Sequence, residues 1–232
     1  MKNETLLKVE GLYKRYGAQP VIRNFSLELH AGERLAISAP CGAGKTTLLR
    51  ILCGLENPDS GCVQVFAPPV MLFQEPRLFP FLTVEENILL PLRTQRRALT
   101  AAIRRSYRRW LAVCALEDST ALYPWQLSGG MQQKTALVRA LLGDPRLLLM
   151  DEPFHSLDAA ARAGIIAHMD AYHPQAALLL ITHAPEEAAA LGARLMRFDQ
   201  VGIWDAELLP PSACFENPGA ASAPSALFPI SY

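Results

Sequence analysis

A chain of 232 residues, half of them hydrophobic, can bury the core of one large α/β domain with at most a smaller subdomain inserted into it. Lys plus Arg and Asp plus Glu both total 22, so the formal net charge is +0, and nothing in that balance points to nucleic acid or acidic lipid. No apolar run approaches the roughly 20 residues of a membrane-spanning helix, the polar start Met1-Lys2-Asn3-Glu4-Thr5 leads into no signal-peptide core, and the protein is expected in the cytosol.

Along residues 6–29 the apolar positions alternate, as at Val21, Phe25, Leu27 and Leu29, which reads as antiparallel strands of a side sheet. After the turn His30-Ala31-Gly32 comes Leu35-Ala36-Ile37, a short apolar run without alternation. Such a run reads as a strand buried on both faces of a parallel sheet. It leads into Ala39-Pro40-Cys41-Gly42-Ala43-Gly44-Lys45-Thr46-Thr47, and residues 45–53 read as a helix closed by Gly54. A glycine loop between a buried strand and a helix is the context of a phosphate loop. Its glycines let backbone N–H groups approach phosphates, and the helix N-terminus adds partial positive charge. Lys45 should reach the β- and γ-phosphates, and Thr46 should offer its hydroxyl to Mg²⁺. The common pattern has Gly where Ala39 stands; if that position needed a positive φ, Ala would cost about 1–2 kcal/mol.

Residues 84 to about 127 read as mostly helical, and residues 132–142 and 159–171 as further helices. Within the first stretch lie Arg93, Arg96, Arg97, Arg104, Arg105, Arg108 and Arg109, with Leu99, Ile103, Tyr107, Trp110 and Leu111 at helical spacing. That is an amphipathic helix whose basic face is either simply solvated or in contact with anionic headgroups or an acidic patch of a partner. Two more buried strands follow: Leu147-Leu148-Leu149-Met150, ending in Asp151-Glu152, and residues 177–181, ending in Thr182-His183. Alone, Asp151-Glu152 would read as a strand end capped by solvated acids. Ligands of open α/β sheets sit at the carboxyl ends of the strands, however, and three such ends carrying a glycine loop, two acids and a histidine argue for one site. There Asp151 can hold Mg²⁺ through water and Glu152 can orient the attacking water or take its proton. Past Leu209 the chain turns rich in Pro, Ala and Ser, and residues 210–232 read as a disordered tail. Five cysteines without C-x-x-C pairing read as reduced, packed thiols, Cys41 being notable for its place in the phosphate loop.

With Leu127-Ser128-Gly129-Gly130-Met131-Gln132-Gln133 added to the phosphate loop and the Asp-Glu pair, residues 6 to about 198 resemble the nucleotide-binding subunit of the ATP-binding cassette (ABC) transporters. The resemblance implies a P-loop NTPase core with a mostly parallel sheet, an N-terminal antiparallel side sheet and an inserted helical subdomain at about 75–140, all within residues 1–209. It implies ATP and Mg²⁺ as ligands. Tyr16 would stack on adenine. Gln74, in Phe73-Gln74-Glu75-Pro76, would reach the Mg²⁺ and the water and sense the membrane partner. Ser128, Gly129 and Gly130 would contact the γ-phosphate held by a second copy, Asp158 would lie in the loop crossing that dimer interface, and His183 would hydrogen-bond the γ-phosphate. Residues 73–87 together with Ser-Gly-Gly-Met resemble the nitrate, sulfonate and taurine importers in particular. That implies transmembrane permease subunits, a substrate-binding protein, no nucleic acid, and a seat on the cytoplasmic face of the membrane. Departures from the family pattern are Ala39, Met131, Lys134, Ala184 and a short segment between Gly61 and Gln74. Ala39, Met131 and Ala184 keep open a poorly hydrolysing regulator, and a soluble ABC-type ATPase is the other alternative.

Overall fold

A computed structural model describes residues 4–198 and the backbone of residues 207–209; the expected tail lies outside the described residues. The elements run β1 (Thr5–Tyr16), β2 (Gln19–His30), β3 (Arg34–Ser38), α1 (Lys45–Leu52), β4 (Ser60–Val65), β5 (Pro69–Leu72), α2 (Val84–Thr94), α3 (Ala101–Cys114), α4 (Gly129–Leu141), β6 (Leu147–Asp151), α5 (Ala159–Tyr172), β7 (Ala177–Ile181), α6 (Pro185–Ala190), β8 (Arg194–Arg197) and β9 (Glu207–Leu209), with two 3₁₀ turns at 117–119 and 124–126.

The alternating N-terminal segment forms an antiparallel sheet in the order β2-β1-β4. The uniformly apolar runs form the centre of a six-stranded sheet in the order β5-β6-β7-β3-β8-β9, parallel except for β9. All five residues of β6 and of β7 are buried. The absence of alternation has a direct cause, since both faces of this sheet are covered. On one face Leu148, Met150, Leu178 and Leu180 pack with Ile88 of α2, Trp110 of α3, Leu137 of α4 and Ile165 of α5. On the other, Leu35, Ile37, Leu147, Leu149 and Leu179 pack with Leu48 of α1 and with Leu7, Val9 and Ile22 of the side sheet. Pairing of Ile37 with Ile181 and of Asp151 with Ile181 puts the ends of β3, β6 and β7 in one row, so the loops that follow emerge together.

Helix starts are chemically marked. Thr83 and Glu86 form a reciprocal capping box on α2, Thr100 caps α3, Ser128 caps α4 and Asp158 caps α5. Several expectations need correction. The stretch expected to be helical to about residue 127 is two helices, broken at 95–100, with Arg96 at φ 52 and Ala115 closing α3 at φ 50. The helix expected from residue 132 starts at Gly129, because Ser128 accepts the N–H of Met131 at 3.3 Å. The short segment after Gly61 still holds a third side-sheet strand and the edge strand β5 of the main sheet. The thiols are free among the described residues but not all packed: Cys41 and Cys62 are exposed, while Cys114 is buried and its pKa is pushed up to about 12 by that burial. On α3 the side chains of Arg104, Arg105, Arg108 and Arg109 are exposed and Trp110, Leu111 and Cys114 face the core. No helix among the described residues is long and apolar enough to cross a membrane.

Candidate functional site

The loop after β3 turns on two glycines in left-handed backbone, Gly42 at φ 78 and Gly44 at φ 92. A Cβ on Gly44 would stand 3.0 Å from the Val21 carbonyl oxygen, so both conformation and space demand glycine there. Ala39 is not among the residues with positive φ, so alanine is unstrained at that position. Gly44 precedes α1 without any side-chain cap, and the first turn carries no acid. The orphan N–H groups at this helix start are left for an external anion. Lys45 is 8% exposed and folds over its own loop, donating to the carbonyls of Ala39 (2.8 Å) and Pro40 (2.9 Å). Gly42, Ala43, Gly44, Lys45, Thr46 and Thr47 line a cleft of about 330 Å³ with Tyr16, Gln19 and Val21. Tyr16 stands at its mouth, 49% exposed, with its hydroxyl donating to Glu56 at 2.5 Å and lying 3.3 Å from Thr47 Oγ1. That hydrogen bond, ahead of others from Lys14, holds the Glu56 carboxyl below its ordinary range. Pro40 and Cys41 are exposed on the outer turn of the loop.

From β6, Asp151 accepts the Thr46 hydroxyl at 2.8 Å and is 4% exposed. Burial raises its pKa, and the Thr46 hydrogen bond only partly opposes this. One residue on, Glu152 takes φ 45, and its N–H donates to the Ile181 carbonyl, which ties the tip of β6 to β7. One Glu152 oxygen lies 3.0 Å from His183 Nε2, and the other accepts from Gln74 Nε2 at 3.4 Å. Gln74, Glu152 and His183 thus meet, although they come from three loops, and Asp151 joins them through the chain to Thr46 and Lys45. Glu152 and His183 also line a second cleft of about 260 Å³. Hydroxyl and carboxylate oxygens are the donors a hard dication takes, and a buried carboxylate of raised pKa is under-compensated. Thr46 and Asp151 therefore fit Mg²⁺. No cluster of three or more acids, histidines or cysteines among the described residues could hold a metal unaided, so the remaining ligands would be water and phosphate.

Two groups of the sequence-selected residues stand apart from this cluster. Ser128, Gly129 and Gly130 open α4, where a Cβ on Gly130 would meet the Ser156 carbonyl at 2.9 Å. Asp158 caps α5 by accepting the Ala161 N–H at 2.8 Å, and that bond, followed by lesser contributions including Lys134, keeps its carboxyl below the ordinary range. The Ser128-Gly129-Gly130 turn, the signature turn of the family that the sequence resembles, therefore packs against the Asp158 loop, and no hydrogen bond among the described residues joins either to residues 39–47. Sequence reasoning missed Glu187. Buried at 5% exposure, it accepts the Thr182 hydroxyl at 2.6 Å and pairs with Arg162 at 3.3 Å, fixing the turn that carries His183. It also missed Gln133, buried and donating to the Pro153 carbonyl beside Glu152 at 3.0 Å. Neither has a local signal, because the partners lie on other elements.

A family model described as ABC transporter matches residues 22–155. The aliphatic sulfonates import ATP-binding protein SsuB of Corynebacterium glutamicum is 39% identical over 197 residues, 84% of this chain and 81% of that protein. SsuB 2 of Paraburkholderia xenovorans is 40% identical over 194 residues, 82% of this chain and 75% of its own. The sulfate/thiosulfate import ATP-binding protein CysA of Bradyrhizobium diazoefficiens is 36% identical over 231 residues, 93% of this chain and 67% of its own. Among solved structures, an ATP-binding subunit of an ABC transporter superposes with TM-score 0.78 at 28% identity, covering 88% of this chain and 90% of that one. The dimeric post-hydrolysis state of the ATP-binding cassette MJ0796 bound to ADP and Pi gives 0.76 at 27% identity, covering 88% and 99%.

Proposed function

This chain belongs to the ABC transporter family, and on that footing we propose that it is the ATP-hydrolysing subunit that energises an importer of the nitrate, sulfonate and taurine group. The observation that carries the reading is the position of Glu152, held between His183 and Gln74 and one residue beyond the Thr46–Asp151 hydrogen bond.

In this reading the triphosphate enters the cleft before α1 and meets the N–H groups of residues 42–47. Lys45 exchanges the carbonyls of Ala39 and Pro40 for phosphate oxygens, and the Tyr16 ring supports the base. Thr46 and Asp151 would hold Mg²⁺, which would offset the charge of the phosphates. Glu152 orients the water and accepts its proton, Gln74 helps place that water, and His183 steadies the γ-phosphate. The signature turn and Asp158 lie apart from their own chain's phosphate loop, which supports a pair of copies sandwiching two ATP molecules. Each Ser128-Gly129-Gly130 turn then completes its partner's site with backbone donors at a helix start. Phe79 and Phe81 are exposed on the loop between Gln74 and α2, a surface suited to permease subunits. Through them the chain would sit at the cytoplasmic face of the membrane and serve a substrate-binding protein outside it.

Steady-state hydrolysis of Mg²⁺-ATP by the purified chain and by Glu152→Gln tests this. The variant should lose about a hundredfold or more in kcat while still binding ATP, within the range that general acid–base groups contribute. Equal rates for parent and variant would remove Glu152 from the chemistry.

A further inference from the structure

Gln74 sits on a loop with no regular structure from residue 73 to residue 79, yet its side chain must meet Glu152 within hydrogen-bond distance. What fixes it lies on α4. Arg139, in the last turn of that helix, donates from Nη1 to the Arg77 carbonyl at 3.0 Å and from Nη2 to the Pro76 carbonyl at 2.9 Å. A guanidinium has a planar fork that can span two successive carbonyls, whereas a lysine ammonium is a single point. No ion pair of Arg139 with an acid exists among the described residues, and its partly buried cation is lowered in pKa by desolvation alone. A buried cation without a carboxylate is costly. Here the carbonyls of the loop and the negative end of α4 are what offset it.

The loop is shaped to receive this clamp. Arg77 takes φ 45, a strained conformation for a residue other than glycine. Its own guanidinium lies 3.7 Å from the centroid of the Phe73 ring, which closes the neck of the turn that presents Gln74. The far end is pinned by the buried Asn87, which accepts the Phe79 N–H at 2.8 Å and donates to the carbonyls of Phe79, Leu82 and Thr83. Arg139 fastens the near end. The same helix also carries Gln133, whose amide holds the Pro153 carbonyl beside Glu152. One rigid element therefore grips the backbone on both sides of the Gln74–Glu152 contact. Its first residues, about 15 Å away at 1.5 Å per residue, are the signature turn.

We propose that Arg139 is a positioning residue that locks the Gln74 loop to the signature helix and so sets the placement of Gln74 against Glu152. This rests on the reading of Gln74 and Glu152 as hydrolytic groups. In a pair of copies, α4 would tie the Gln74 of one ATP site to the signature turn of the other, through a guanidinium that contacts neither nucleotide.

The test uses the full chain with Arg139→Lys, which keeps charge and stem but loses the fork, and Arg139→Gln as a second variant should lysine prove unstable. Hydrogen–deuterium exchange without nucleotide is the first readout and needs no activity. The peptide over residues 73–83 should be protected in the parent and exchange about ten- to hundredfold faster in the variant, as loss of charge-assisted hydrogen bonds implies. Peptides over residues 133–142 should be unchanged. Equal protection in parent and variant, or a parent loop that exchanges like an unstructured peptide, would overturn the proposal. Kinetics give the second readout. The kcat for ATP should fall about ten- to hundredfold with KM within about twofold, the scale of a misplaced group. The double variant Gln74→Ala/Arg139→Lys should be no slower than Gln74→Ala alone. Multiplying losses would mean that Arg139 acts elsewhere and would sink the idea. A parent with no ATPase activity would instead count against the hydrolytic reading, and the exchange data would still decide whether the clamp exists.

Discussion

Restoring the common glycine at position 39 should damage this protein. Ala39 is buried and is not among the residues with positive φ, and its carbonyl accepts the Lys45 ammonium at 2.8 Å. Ala39→Gly keeps that carbonyl, removes a buried methyl worth about 0.8 kcal/mol, and adds about 0.5–1 kcal/mol of backbone entropy to be lost on folding. Together these give a loss of about 1.3–1.8 kcal/mol. For a domain of this size that corresponds to a fall of roughly 3–7 °C in Tm. The affinity for ATP should stay within about twofold, because no phosphate-facing donor changes. Differential scanning fluorimetry and equilibrium binding of a fluorescent ATP analogue are the assays. The opposite exchange five residues on, Gly44→Ala, calibrates them: it places a Cβ 3.0 Å from the Val21 oxygen at φ 92. It should cost at least the 1–2 kcal/mol of a left-handed L-residue and weaken ATP binding as well. A stabilised Ala39→Gly protein, or one with several-fold higher kcat, would show that alanine is strained at position 39 and that the backbone argument is wrong.

Asp151→Asn should raise the thermal stability of the nucleotide-free chain at neutral pH while removing the extra stabilisation that Mg²⁺ gives in the presence of ATP. Burial raises the Asp151 pKa above its unfolded value, so its ionised form opposes folding as pH rises through the folded pKa. The advantage of the variant should vanish below about pH 4, and melting curves across pH with and without Mg²⁺ read this out. Glu187→Gln weakens the bonds to Thr182 and Arg162. It should cost about 1–3 kcal/mol, measured by urea denaturation, and lower kcat more than it raises KM, since the turn bearing His183 is loosened. Arg108→Glu converts the repulsive pair with Arg104, four residues back on the exposed face of α3, into an attractive one. It should stabilise the chain by about 0.4–1 kcal/mol at low salt, with the gain fading in 1 M salt; a gain independent of salt would rule out charge as the cause.

The parts of the site that could be read from sequence are those where one physical requirement acts on neighbouring residues. Burial on both faces makes residues 147–150 and 177–181 uniformly apolar, and their abrupt ends mark where a ligand can be reached. Gly42 and Gly44 announce a backbone that other residues resist. The missed elements lack such marks. The break between α2 and α3 and the end of α3 use Arg96 and Ala115 in left-handed backbone, where glycine or asparagine would have signalled a stop. The strand β5 is four residues long and starts with Pro69, legible only once β6 lies beside it. The glycines at the start of α4 carry low helix propensity and delayed its apparent start, because the Ser128 cap outweighs propensity locally. Glu187, Gln133 and Arg139 act through partners on other elements, so no local pattern shows their roles.

Few of the chain's reactive groups lack a partner within the chain itself, and this bears on how ATP would be used. Lys45 is satisfied by two carbonyls of its own loop, Thr46 by Asp151, and Glu152 by His183 and Gln74. On the proposed reading, binding would be an exchange, in which phosphate oxygens replace carbonyls around Lys45 and the γ-phosphate draws His183 away from Glu152. The net gain from each such swap is small compared with making a bond from nothing. Two features do not cancel in this way: the uncapped start of α1, whose N–H groups are left for an external anion, and the Asp151 carboxylate, disfavoured by burial until a cation is near. Affinity should thus come mainly from the anion at the helix start and the dication at Asp151. On the proposed reading, the exchanges around Glu152 would make its release conditional on a γ-phosphate, so the group proposed to accept the water's proton would be freed only when there is a bond to break.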